Sequence, residues 1–132
     1  METYDMGAGI MVVCGKKTLA LKRSKYKKDP FSGCWNFPGG SSEKGESAYE
    51  TAIRETKEEI GISVPHIKVL DHIEIRFYTL FIGEVEAEFE PQLDHEHSDF
   101  MWVPLSEVLK LNLHPKDEKC FSKYLSRRYH HT

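Results

Sequence analysis

The stretch PGGSSEKGESAYETAIRETKEEIGI, from Pro38 to Ile62, decides how this chain is read. Ser47 followed three residues later by Glu50 is a capping box, in which each side chain satisfies the other residue's backbone amide. Gly61 stands where a helix stops. Between them Ala48, Ala52, Ile53, Thr56 and Ile60 form an apolar flank, so the spacing predicts one amphipathic helix. On it Glu55, Glu58 and Glu59 fall at i, i+3 and i+4 and share a face. Three like charges on one stripe repel each other. Arg54 can pair with Glu50 or Glu58, but no basic residue lies four positions after Glu55 or Glu59. The stripe therefore reads as short of a cation, which a hard divalent ion held through oxygens would supply. The plainer alternative is a solvated acidic face. Ahead of the helix, Pro38-Gly39-Gly40 marks a tight turn or a close backbone approach.

Outward from the helix, strands prevail. Gly7 to Cys14 and Thr18 to Arg23 are apolar runs joined by Gly15-Lys16-Lys17, the pattern of a hairpin. Lys22 to Ser32 reads as a basic loop and Trp35-Asn36-Phe37 as a short strand. Ile67 to Leu70, Ile73 to Ile82 and Glu84 to Phe89 read as further strands, the last because Val85, Ala87 and Phe89 alternate with glutamates. Phe100 to Val103 is another strand and Leu105 to Lys110 a short helix. Pro115 opens a terminal helix running to about Tyr129, with proline at its first position. No repeat or linker interrupts the pattern. The expected fold is an α/β or α+β sandwich of one domain, residues 1–132.

Composition narrows the function. Hydrophobic, charged and aromatic fractions of 39%, 30% and 11% are those of a soluble globular protein rather than a disordered one. A net charge of -3 gives no general pull toward nucleic acid, so an acidic ligand needs a local basic site or a metal. The run Ile10 to Cys14 is too short to span a membrane or form a signal core. Three scattered cysteines, Cys14, Cys34 and Cys120, argue against a disulfide framework and fit a reducing cytosol.

The order Gly40-x5-Glu46-x7-Arg54-Glu55-x-x-Glu58-Glu59-x-Gly61-Ile62, preceded by Trp35-x-x-Pro38-Gly39, resembles the signature of the Nudix hydrolases, of the MutT-like kind. Thr56 departs from it mildly, since a bulky aliphatic residue is usual after Arg-Glu. Arg23, Trp35, Phe37 and Trp102-Val103 also have counterparts in such domains, and the likeness weakens after Val103. It implies an α/β/α sandwich with a mixed β-sheet, a catalytic loop-helix-loop and a C-terminal helix. It further implies Mg²⁺, with Mn²⁺ able to stand in, and a small-molecule nucleotide as partner.

By this resemblance Glu55, Glu58 and Glu59 hold the metal, and the Gly40 carbonyl is a further ligand. Gly39 and Gly40 let the backbone approach the substrate. Glu46 and Arg54 are expected to tie loop to helix by an ion pair rather than touch substrate. Glu96, in His95-Glu96-His97 six residues before Trp102, resembles the Glu-His pair of several Nudix enzymes. It is a candidate metal ligand or general base, with Glu55 and Glu59 as rivals and a solvated loop carboxylate as the alternative. His95 and His97 lack a third ligand for zinc and read as polar loop residues. Within the basic cluster of Lys22, Arg23, Lys25, Lys27 and Lys28, Arg23 is the candidate phosphate contact and the rest a solvated turn. Phe77, Tyr78 and Phe81 read as core aromatics.

The reaction expected from the resemblance is hydrolysis of a diphosphate linkage. A nucleoside or deoxynucleoside triphosphate, yielding monophosphate and pyrophosphate, is the first substrate class. Dinucleoside polyphosphate is the second, favoured by Tyr78 and by Glu96-His97. The 5′ end of an RNA would use the same site. A non-catalytic nucleotide-binding module is the alternative of another class, and it would ordinarily lack some of the three carboxylates. Monomer and homodimer are both left open.

Overall fold

The computed structural model describes residues 6–25, 29–61 and 67–129, so the features expected at Lys27, Lys28 and Ile62 lie outside it. Strand β1 (Gly7–Cys14) turns at Gly15, whose φ of 59° is left-handed, into antiparallel β2 (Lys17–Arg23). The two strands pair at Val13 with Thr18 and at Cys14 with Lys17. Beyond that, β3 (Trp35–Asn36) takes over the edge of β2, while β4 (Gly39–Ser41) takes over the edge of β1. The chain from Trp35 to Ser41 therefore threads the split between two diverging strands. Pro38 sits in the gap, and its carbonyl accepts the Ile10 N–H at 2.9 Å.

After helix α1 (Ala48–Ile60), β5 (Lys68–Ile75) and β6 (Tyr78–Glu84) form a hairpin. β6 lies parallel to β1 from Gly7 to Val13. The last strand, β7 (His97–Pro104), runs antiparallel along the other edge of β2. The result is a mixed seven-stranded sheet, followed by a 3₁₀ helix (Leu105–Lys110) and helix α2 (Pro115–Tyr129).

Alternation along the strands divides the core into two layers. Ala8, Ile10 and Val12 of β1, with Leu19 and Leu21 of β2, face Ala52 and Ile60 of α1. Met11, Val13, Ala20, Leu80 and Ile82 point the other way, onto Val108, Leu113, Cys120 and Phe121. β1 is thus buried on both faces, which is why its sequence is an unbroken apolar run. The sandwich has α1 outside one face and α2 outside the other. α2 also guards the free edge of β5: Lys123 donates to the Glu74 carbonyl at 2.7 Å and Arg127 to the His72 carbonyl at 3.0 Å.

Three sequence expectations need correction. Ile73 to Ile82 is not one strand, because Phe77 adopts a left-handed φ of 65° and reverses the chain between β5 and β6. Such a φ is uncommon outside glycine, so no residue type announces this turn. Glu84 to Phe89 is not a strand beyond Glu84. Its alternation reflects a loop pinned to the core: Val85 is buried, and Phe89 packs edge-on to Trp102, whose indole N–H donates to the Phe89 carbonyl at 3.0 Å. β4 is the third, since Gly39-Gly40 reads as a turn but is a strand laid against β1.

Candidate active site

The helix begins as its sequence dictates. Ser47 Oγ accepts the Glu50 N–H at 3.1 Å, and Glu50 returns the bond by accepting the Ser47 N–H at 3.0 Å. Glu50 is thereby committed to the cap and is not a partner of Arg54. At the other end Gly61, with φ 96°, donates to the Lys57 carbonyl. Thr56 is buried, and its hydroxyl has no partner among the described residues.

The three carboxylates of the stripe do not share one environment. Glu59 is 2% exposed, and its Oε2 accepts the Gly39 N–H at 3.0 Å. Burial, resisted by that hydrogen bond and reinforced by the charges of Asp94, Glu55 and Glu96, pushes its carboxyl up to about 9. Glu55 lies against Gly40 so closely that a Cβ there would stand 2.5 Å from its carboxylate carbon. Its pKa is raised by burial first, opposed by Arg54, then raised further by Glu58 and Glu96. Glu58 is exposed, with Arg54 beside it.

Arg54 corrects the expectation of a stripe without a cation. Its Nη1 lies 2.8 Å from Glu55 Oε1 and 3.4 Å from both oxygens of Glu58. The long side chain reaches its neighbour at i+1, which a count of i+4 partners overlooks. The rest of the guanidinium turns to the preceding loop. Nε and Nη2 donate to Glu46 at 2.7 and 2.9 Å, and Nη2 also donates to the Ser41 carbonyl at 2.9 Å. Glu46 accepts in addition from Thr51 Oγ1 at 2.7 Å and from the Glu43 N–H at 2.9 Å. The Arg54 hydrogen bond, followed by that of Glu43, holds its carboxyl down to about 2. One fork therefore joins β4, the following loop and the carboxylate stripe.

The glycines have steric reasons. A Cβ on Gly39 would strike the Tyr78 hydroxyl and stand 2.7 Å from the Gly9 Cα, so strands β4 and β1 touch there backbone to backbone. The Gly40 carbonyl oxygen packs against Gly7 of β1. Tyr78 is buried in the core layer beneath, with the Lys116 ammonium 4.4 Å from its ring centre. A cleft of about 220 Å³ opens between Gly40-Ser41 and Ile75 to Tyr78, with Lys116 and Arg76 on its wall.

Other candidates stand differently from expectation. Arg23 is paired with Asp29, its Nε and Nη2 donating to one carboxylate oxygen at 3.0 and 2.8 Å. Any phosphate contact by Arg23 has to compete with that pair. Glu96 is exposed, yet its charge is felt at both Glu55 and Glu59. His97 is not a surface loop residue but is buried as the first residue of β7, bonded to Asp94 and Asn36. Phe81 is half-buried between Tyr49 and His72.

Asp117, which sequence reasoning passed over, is wholly buried in the first turn of α2 and accepts the Phe37 N–H at 3.1 Å. Its other oxygen has no partner among the described residues, and burial pushes the carboxyl up to about 7. An acid in a helix's first turn is an ordinary cap signal, which says nothing of its reaching a loop eighty residues back. The segment between the split strands is thus strung between two buried carboxylates. Asp117 holds the amide of Phe37, Glu59 that of Gly39, and Pro38 between them has no N–H to satisfy.

Among the described residues, no three His, Cys, Asp or Glu side chains converge into a ready-made metal cage. The donor set still suits a hard cation. It consists of oxygens, and burial and mutual repulsion make the charged forms of Glu55 and Glu59 costly without added positive charge. Magnesium is ordinarily held by one or two carboxylates together with waters and substrate phosphates, not by a closed protein cage.

Comparison with known proteins finds likeness along nearly the whole chain. The model of the NUDIX domain matches residues 3–124. The chain is 24% identical over 135 aligned positions to the CTP pyrophosphohydrolase of Escherichia coli, covering 97% of this chain and 96% of that one. It is 29% identical over 117 positions to the asymmetrical bis(5'-nucleosyl)-tetraphosphatase of Caenorhabditis elegans, covering 79% and 82%. Three other curated relatives are longer, and the chain spans 21% to 43% of their length. Among solved structures, a Nudix hydrolase from M. smegmatis, RenU, superposes with a TM-score of 0.81 at 19% identity, covering 96% of this chain and 87% of that one. That last likeness speaks to the fold alone.

Proposed function

Because the chain belongs to the Nudix hydrolase family, we propose that it hydrolyses the diphosphate linkage of a nucleotide with the help of a divalent cation. The observation that carries the proposal is the meeting of the buried Glu59 and the partly buried Glu55 carboxylates with the backbone of Gly39-Gly40, which has no side chains to intervene. Glu55, Glu58 and Glu59 would hold Mg²⁺ or Mn²⁺, with Glu96 and, by likeness to the family, the Gly40 carbonyl as further ligands. When bound, the cation offsets the charge of the diphosphate and makes a water more acidic. The remaining work belongs to this chain's own groups. Glu59 keeps the Gly39 amide in place, Arg54 orients Glu55 against the loop, and Glu96 or Glu55 takes the proton from the attacking water. With no side chains of their own, Gly39 and Gly40 let the β1 backbone and the Glu55 carboxylate close on the strand, and Gly40 lines the cleft where substrate phosphates would enter.

The first substrate class is a nucleoside or deoxynucleoside triphosphate, cleaved to monophosphate and pyrophosphate. The near full-length match to a CTP pyrophosphohydrolase supports it. A dinucleoside polyphosphate is the second reading, favoured by the tetraphosphatase relative and by Glu96-His97. Three free cysteines, and the lack of any membrane-crossing helix among the described residues, support a cytoplasmic setting. The test is a panel of nucleoside triphosphates, dinucleoside polyphosphates and nucleotide sugars with Mg²⁺ or Mn²⁺, resolved by ion-exchange chromatography. Turnover of one class identifies the substrate. A panel left intact by wild-type protein while a nucleotide still binds would make this a binding module instead.

A further inference from the structure

Behind the turn that carries Glu96 runs a buried chain of polar side chains that the proposed chemistry does not use. Asp94 Oδ1 lies 2.8 Å from His97 Nδ1, and His97 Nε2 lies 3.2 Å from Asn36 Oδ1. Asn36 in turn donates from Nδ2 to the Phe37 carbonyl at 2.9 Å. His97 is 5% exposed and Asn36 6%, so both are shut off from water. A polar chain at this depth costs desolvation that an apolar core would avoid. What it provides is orientation.

Its two ends are segments sixty residues apart. One is the turn from Asp94 to His97, which closes on itself through the His97 N–H and the Asp94 carbonyl at 3.3 Å. The Glu96 carbonyl in that turn accepts the Ser24 N–H at 2.8 Å. The other is β3, which leads directly into Pro38-Gly39-Gly40. Asp94 and His97 flank Glu96 on both sides. Locking them to β3 fixes the backbone from which the exposed Glu96 side chain springs, relative to the loop that faces Glu55 and Glu59.

We propose that His97 is a positioning residue: through Asp94 and Asn36 it ties the Glu96 turn to the glycine loop, so that the Glu96 carboxylate joins Glu55 and Glu59 in holding a divalent cation. The proposal rests on the proposed function for what Glu96 does, and on the hydrogen bonds alone for how it is held.

Mn²⁺ serves as the probe, its free concentration read by electron paramagnetic resonance with wild type, Glu96→Gln, His97→Gln and the double variant. Groups that orient a ligand change metal affinity by about 10-fold to 100-fold when removed. His97→Gln should weaken Mn²⁺ binding by about 10-fold, and Glu96→Gln by as much or more. The double variant should bind no worse than Glu96→Gln alone, because His97 acts only through Glu96. The same non-additivity should appear in kcat, with KM changed little. The proposal is overturned if His97→Gln binds Mn²⁺ as wild type does, if Glu96→Gln does so, or if the two losses multiply. Should His97→Gln prove unfolded by circular dichroism, Asn36→Ala breaks the same chain, and the same three outcomes decide. A wild type that hydrolyses nothing but shows the Mn²⁺ coupling would sink the proposed function and leave this inference standing.

Discussion

Replacing Gly40 by alanine should abolish most activity and spare the fold. Gly40 does not have a left-handed φ, so its backbone accepts an L side chain. The obstacle is Glu55, whose carboxylate carbon and Oε2 would lie 2.5 Å from the new methyl. Ordinary contact begins at 3.4 Å, so the carboxylate has to retreat by 0.9 Å. It would also strain or lose its 2.8 Å contact with Arg54. A displacement of about 1 Å in a group that positions a reaction costs about 100-fold in rate. The stability loss should stay near the low end of the ~1–3 kcal/mol typical of overpacking, because the clash falls on the end of a side chain that can move. Gly39→Ala is the control. Its methyl meets Gly9 Cα at 2.7 Å and Ala8 O at 2.8 Å, both backbone of β1, so β4 and β1 must separate. It should lower the melting temperature far more than Gly40→Ala. Steady-state kinetics on the best substrate and thermal melts by circular dichroism measure both. A Gly40→Ala protein with undiminished kcat, or one that melts as early as Gly39→Ala, would show that Glu55 does not depend on the bare Gly40 backbone.

Glu59→Gln should fold at least as well as wild type, since an amide oxygen can still accept the Gly39 N–H, yet lose about 100-fold or more in metal-dependent turnover. The pKa of Glu59 rises from 4.5 to about 9 on folding, so its own contribution to the stability of the metal-free protein should be full below pH 4.5 and decline as pH rises toward 9. Urea unfolding across that range should show this slope for wild type and a flatter one for Glu59→Gln, with Mg²⁺ restoring wild type at pH 8. Arg54→Lys should be nearly as inactive as Arg54→Ala, because one ammonium cannot span Ser41, Glu46 and Glu55 together. Kinetic rescue by lysine would count against that. Asp117→Ala should cost about 1–3 kcal/mol by orphaning the buried Phe37 N–H, while Asp117→Asn keeps an acceptor and most of that stability. Thr56→Val removes a buried hydroxyl without a described partner and should gain about 1 kcal/mol in the same assay, leaving kcat alone.

What could be read in advance was local. Ser47, Glu50 and Gly61 state the bounds of α1 within their own neighbourhood, and the 3.6-residue period of Ala48, Ala52, Thr56 and Ile60 states its buried side. The stripe of Glu55, Glu58 and Glu59 followed from that period alone. Long-range relations were not legible. Nothing in Trp35-Asn36-Phe37 tells that Phe37 will give its amide to Asp117, or that Asn36 will meet His97 across the sheet. The split of β1 from β2, which makes room for Pro38 and turns Gly39-Gly40 into a strand, depends on pairings at both ends of the gap. The reversal at Phe77 escaped because the residue there is not one that favours it. Arg54 was read through its spacing to Glu50 and Glu58, whereas its reach to Glu55 and Ser41 comes from side-chain length and loop position.

The most direct test follows phosphorus-31 resonances of a mixture of dCTP, dGTP and diadenosine tetraphosphate exposed to the protein and Mg²⁺, alongside Glu59→Gln and a chelated control. Wild type with Mg²⁺ should break a diphosphate linkage far faster than either comparison, with monophosphate and pyrophosphate growing from a triphosphate, or monophosphate and triphosphate nucleotides from the dinucleotide. Spectra that stay unchanged in wild type, or cleavage that keeps its wild-type rate in Glu59→Gln or in chelator, would contradict it.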